Sequence, residues 1–148
     1  MAVSASTGGR HLITFQVTGQ PVGKARPRVT RAGRVYTPKK TEQAEQDIKK
    51  MAGYAMCGDP PLRGALELSV IFRMAVPASW TKGKRQQAYR QEIRPAAKPD
   101  IDNLIKTVMD ACNGVIYLDD SQVIKLAASK VYVTEEQVPM TIISVIKA

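Results

Sequence analysis

At 148 residues, 44% hydrophobic and 24% charged, the chain is long enough to bury one core without disulfide or metal staples, and a single globular domain is expected. No apolar run approaches the ~20 residues of a membrane span, and MAVSASTGGR lacks the basic-then-apolar plan of a secretion signal, so a spanning or exported protein is not expected. The net charge of +9, from 22 Lys and Arg against 13 Asp and Glu, predicts a polyanionic partner.

Residues 1–10 read as a disordered leader and 11–148 as one domain of a cytoplasmic protein. HLITFQVTGQP alternates as a first strand and stops at Gly19-Gln20-Pro21. The segment VGKARPRVTRAGRVYTPKK is punctuated by Gly23, Pro27, Gly33 and Pro38, with a hairpin turn predicted at Ala32-Gly33 between RVTR and RVYT. Residues 1–41 hold no Asp or Glu but eight Lys and Arg, and a second basic run spans Lys82 to Lys98. Such runs usually make a solvated surface. Two of them in a small domain form an electrostatic footprint for nucleic acid.

Thr41 is placed to cap a helix reaching about Cys57, with Ala44, Ile48, Met51, Ala52 and Ala55 as its apolar stripe. From Leu66 to Val76 every even position is apolar, the signature of a half-buried strand. Ser79 is placed to cap a short basic helix, and Trp80 either anchors its start in the core or stacks on nucleic acid. The next helix begins at Asp102 or Asn103, carries Leu104, Ile105, Val108, Ala111 and Cys112 inward, and stops at Asn113-Gly114. VIYLDDSQV reads as strand, turn, strand; VIKLAASKVYV and MTIISVIKA are two further strands. The fold class is α+β: a small, mostly antiparallel or mixed sheet packed by two or three helices.

One stretch, KPDIDNLIK, concentrates chemistry. With Lys98 to Ile101 extended, Asp100 and Asp102 face one side, where they repel unless a cation lies between them. Lys106 follows Asp102 by one helical turn. The plain alternative is a helix cap and a solvated turn residue. A second acidic pair, Asp119-Asp120, follows in a turn that also suits aspartate for local reasons. Four of the thirteen acidic residues of a basic protein thus sit in two pairs. Carboxylates, a lysine and basic surroundings are what metal-assisted phosphodiester hydrolysis requires. Cys57 and Cys112 lie far apart and His11 is the single histidine, so a metal site must use carboxylates, which favours Mg²⁺ or Mn²⁺. Asp120 is the preferred ligand of the second pair, with Asp119 open. Asp110, four residues after Lys106, reads as a helix-surface ion-pair partner. Lys24, Arg26, Arg28, Arg31, Arg34 and Lys98 are candidate phosphate contacts.

KPDIDNLIKTVMDACNGVIYLDDSQV resembles the signature region of the RusA family of Holliday junction resolvases, often found in prophages, and PVGKARPRVTRAGRVYTPKK and VPASWTKGKR resemble further segments of it. The resemblance implies a Mg²⁺-dependent endodeoxyribonuclease acting in recombination and repair. It also implies a homodimer that resolves four-way junctions by paired symmetric nicks, with no small-molecule organic cofactor. By position, Asp100, Asp102 and Asp120 match the family's metal-binding catalytic aspartates, and Lys106 its essential lysine. Two other readings stand beside it: a non-catalytic junction-binding protein on the same scaffold, and a nuclease preferring forks or flaps.

Overall fold

A computed structural model describes the backbone of residues 3–7 and the whole of residues 10–148. In chain order the elements are β1 (Val3–Thr7), β2 (Arg10–Thr18), β3 (Arg28–Val29), β4 (Val35–Tyr36), α1 (Lys39–Met56), β5 (Leu66–Met74), α2 (Lys82–Tyr89) and α3 (Ile101–Cys112). A 3₁₀ turn (Asp120–Gln122), β6 (Val123–Tyr132) and β7 (Met140–Lys147) follow. No described helix is long and apolar enough to cross a membrane.

Alternation fixes which face of the sheet is buried. Leu66, Leu68, Val70, Phe72 and Met74 of β5 are all buried, while Ser69 and Ile71 between them are exposed. Partners across a ladder share a face, so Leu68 lies opposite Val145 and Val70 opposite Ile143, and these in turn oppose Ile13 and Phe15 of β2. The strand order is β1-β2-β7-β5-β6; every neighbouring pair is antiparallel except β5 with β6, which run parallel. The fold is therefore α+β with a mixed sheet, as expected. The parallel pair requires a long crossover, and α2, α3 and the 3₁₀ turn all lie within it. Ile48, Ala52 and Ala55 of α1 and Leu104, Val108 and Ala111 of α3 close the core with Phe15, Leu68, Phe72 and Ile143.

Four local expectations change. Val3–Thr7 pairs antiparallel with β2 at the sheet edge, so the middle of the expected leader is a strand; residues 1, 2, 8 and 9 lie outside the described part. α1 starts at Lys39 because Pro38 takes the cap position, and Thr41 is instead a buried first-turn residue. Thr81, not Ser79, caps α2 by accepting from Lys84 N–H at 3.3 Å. Val115–Tyr117 forms a turn tied by an isolated bridge to Leu62 rather than a strand, because Tyr117 turns inward and its hydroxyl donates to Met109 O at 2.8 Å. Trp80 is partly buried against the core, edge-on to Tyr132 at 5.6 Å, with the Lys84 ammonium 4.0 Å from its ring centre.

Burial sets an alkaline limit. Cys112 is fully buried, and loss of hydration pushes its thiol up to about 12 from 9.0. The Tyr117 phenol is also raised, first by burial and then by nearby negative charge. An unfolded chain ionises Cys112 near pH 9 whereas the folded one holds the proton. The stability is thus complete below pH 9 and is lost as pH climbs toward 12, by up to ~1.4 kcal/mol per pH unit for each such group. Urea unfolding at pH 8, 9.5 and 10.5 should show this fall, and Cys112→Ala should make it shallower, leaving the part due to Tyr117. A level profile across that range would contradict it.

Candidate active site

The acidic pair is held by the way α3 begins. Pro99 biases the chain out of helix before it, and Asp100 is the extended cap residue at φ −68° and ψ 147°. Leu104 N–H donates to Asp100 O at 3.1 Å, closing the first turn. The helix therefore starts at Ile101, slightly earlier than expected, with Asp100 rather than Asp102 in the cap position. The Asp100 carboxylate makes no capping bond and instead meets Lys98 Nζ at 3.0 Å. Asp102, in the first turn, accepts from Asn103 N–H at 2.9 Å. Both carboxylates are exposed at the positive end of the helix dipole. Lys106, one turn on, is exposed and has no ion-pair partner among the described residues.

The second pair divides its labour. Asp119 caps the 3₁₀ turn by accepting from Ser121 N–H at 3.2 Å, and its pKa is lowered, first by the Ser121 bonds. Gln122 completes the reciprocal box, accepting from Asp119 N–H at 3.1 Å and Leu118 N–H at 2.9 Å. Its amide donates to Leu62 O at 2.9 Å and Gly64 O at 3.0 Å, pinning the turn to the entry of β5. Asp120 has no side-chain hydrogen bond among the described residues. The four letters DDSQ are thus a structural cap that leaves one aspartate uncommitted.

The 3₁₀ turn touches α3, yet no three His, Cys, Asp or Glu among the described residues are drawn together closely enough to hold a metal. The chemistry of the donor set nonetheless suits a hard divalent ion. It is all oxygen, exposed or half-exposed, and among the described residues the Asp100 carboxylate meets only a Lys98 side chain that is itself 85% exposed. A surface pair of this kind is worth ~0–1 kcal/mol and yields easily to a competing cation.

Lys24 separates from the other basic residues. It pairs with Glu45 and, at 3.1 Å, with Asp110, which is where the Asp110 charge is spent instead of on Lys106. Burial alone would lower the Lys24 pKa, but hydrogen bonds to Glu45 and Asp110, and their charges, outweigh it and raise it. Lys24 straps α1 to α3 and does not present a free charge to a phosphate. By contrast Arg26, Arg28, Arg31 and Arg34 are exposed on the β3–β4 hairpin and its approach, with no carboxylate within 4.0 Å among the described residues. That hairpin turns where expected, with Gly33 at φ 81° and Arg28 opposite Tyr36.

Sequence reasoning missed Lys130. Its ammonium donates to Ala97 O at 2.7 Å and Pro99 O at 2.9 Å, and so ties β6 to the turn that delivers Asp100. An isolated lysine in an edge strand gives no signal of this in one dimension. Two hollows meet at Lys98 and Asp100. One, of about 780 Å³, is bounded by Arg94, Ala97, Ile101 and Lys130; the other, of about 570 Å³, lies between the basic loop and the starts of α1 and α3.

A profile of the family described as Endodeoxyribonuclease RusA matches residues 18–145. The chain is also 37% identical over 135 residues to a protein of Bacillus subtilis (strain 168) named Uncharacterized protein YqaN, covering 88% of this chain and 94% of that one.

Proposed function

The chain belongs to the RusA endodeoxyribonuclease family, and on that premise we propose that it is a Mg²⁺-dependent nuclease that resolves four-way DNA junctions by paired symmetric nicks during recombination and repair in the cytoplasm. The observation that carries the reading is the acidic first turn of α3. Two exposed carboxylates stand at this helix start, Asp100 at the edge of basic hollows and Asp102 two residues on, in a protein of net charge +9.

Asp100, Asp102 and Asp120 would hold the Mg²⁺, with Mn²⁺ able to substitute. When bound, such an ion supplies a water of lowered pKa and neutralises charge on the phosphate. The chain's own residues do the rest. The exposed arginines of the hairpin hold backbone phosphates and set the register of the DNA without reading its sequence. Lys106, uncommitted beside Asp102, stabilises negative charge that develops on the phosphate or the departing oxygen. Lys130, through Pro99 O, and the Lys24 backbone N–H, through Asn103 O, keep the first turn of α3 in place. A four-way junction has near two-fold symmetry, and a C2 homodimer presents two such sites to its two scissile strands.

The test is cleavage of a synthetic four-way junction beside fork, flap and linear duplex, in Mg²⁺ and in EDTA. Paired nicks confined to the junction and to Mg²⁺ are expected. Faster cutting of forks or flaps would reassign the substrate. Tight binding without cutting in any metal would make the protein a non-catalytic binder. In the same assay Arg26→Ala/Arg28→Ala should weaken binding and reduce the slope of log K against log salt by ~1–2. Lys24→Met should leave that slope where it was, since its charge is already neutralised. An unchanged slope in the arginine double variant would remove the hairpin approach from the interface.

A further inference from the structure

We propose that the cleft beside Asp100 receives one unpaired nucleotide of the strand to be cut. The inference rests on the endonuclease reading of the site and names what that reading leaves open, the means by which branched DNA is told from duplex.

The cleft measures about 570 Å³, within the ~300–1,000 Å³ range of small-ligand sites and larger than a phosphate group alone needs. It is a built site. Lys24 N–H donates to Asn103 O at 2.9 Å and Ala25 N–H to Thr41 Oγ1 at 3.3 Å, so the basic loop is moored to the first turns of both α3 and α1. Gly23 lets the loop come this close: a Cβ there would lie 3.0 Å from Pro99 Cβ and 3.3 Å from Asn103 Cβ.

The walls are of two kinds. Pro21, Val22, Pro38 and Pro99 offer apolar surface for the face of a base, with no aromatic ring among the lining residues. Arg28, Lys40 and Lys98 supply positive charge for its phosphate, and Arg28 and Lys40 have no carboxylate partner among the described residues. α1 begins here, and its cap residue Pro38 makes no side-chain cap. Asp100 lines the same cleft, which places a nucleotide bound there next to the acidic pair. A paired base cannot enter without leaving its stack. At a branch point the stack is discontinuous where the arms open, and this makes that step cheaper.

The experiment uses the full chain carrying Asp102→Asn, so that DNA is bound and not consumed. 2-Aminopurine, whose fluorescence is quenched by stacking, is placed in turn at each nucleotide flanking the branch of a four-way junction. One or two positions should brighten at least ~threefold on binding, the response of a base taken out of its stack into a pocket without aromatic rings. With Arg28→Gln/Lys40→Gln added, at protein concentrations that restore full binding by anisotropy, the rise should fall below about half. Binding with no bright position, or equal brightness in the added double variant, overturns the cleft assignment and leaves the nuclease reading standing. Failure to prefer a junction over linear duplex counts against the junction reading instead. A single-stranded 2-aminopurine oligonucleotide, tested against the same two proteins, then decides the cleft on its own.

Discussion

Asp102→Asn should give a protein that binds four-way junctions at least as tightly as the parent and cuts them at least ~100-fold more slowly in Mg²⁺. The substitution keeps the shape and the oxygen that accepts from Asn103 N–H, so α3 should start as before and stability should move by no more than about 0.5 kcal/mol. What changes is charge. A neutral amide is a weaker partner for a hard cation than a carboxylate, and it repels DNA less. The two readouts therefore separate: cleavage falls while affinity holds or rises. Junction cutting at the parental rate would remove Asp102 from the reaction and with it the proposed role of the first turn.

Leu104→Ala should destabilise the fold by ~2–5 kcal/mol. Leu104 is fully buried two residues beyond Asp102 and joins the core cluster that Phe15, Phe72 and Ile143 also form. For a chain of this length each kcal/mol lowers the melting temperature by ~2–4 °C, so a drop of roughly 5–20 °C is expected by calorimetry. A loss under about 1 kcal/mol would mean that α3 is not seated as described. Because the same helix carries the acidic pair, a folded Leu104→Ala protein at low temperature should also cut more slowly, whereas a change on the outer face, such as Ile71→Ala, should not.

Much of this was legible in one dimension, for reasons that can be named. β5 obeys strict alternation over its length, and its even residues are indeed the buried ones. α3 carries a single apolar stripe between two clear punctuation marks, Pro99 and Asn113-Gly114, so its extent was readable to within two residues. The hairpin turn at Gly33 followed from the turn chemistry alone. What escaped was decided by partners remote in sequence. Nothing near Lys24 announces Glu45 and Asp110, so the strap looked like one more free cation. Asp119 and Asp120 are the same residue type in adjacent positions. Only the bonds of Asp119 to Ser121 and Gln122 show which of them closes a turn, and Gln122 then pins that turn to Leu62 and Gly64. Residues 3–7 carry little apolar surface and read as a leader, yet an edge strand needs only backbone partners, which β2 supplies.

The place of β7 in the sheet has a consequence for how the protein is made. β7 lies between β2 and β5, so a strand synthesised after both of them is the one that joins the first half of the sheet to the second. Until residues 140–147 leave the ribosome, β2 and β5 have no common neighbour, and the shared interior of α1 and α3 lacks Ile143 and Val145. Pairing over such sequence separations is slow and leaves strand edges open in the meantime. A nascent or clipped chain without β7 should thus hold its basic loop and its acidic pair over an incomplete core. The candidate site is then complete only once β7 has joined the sheet.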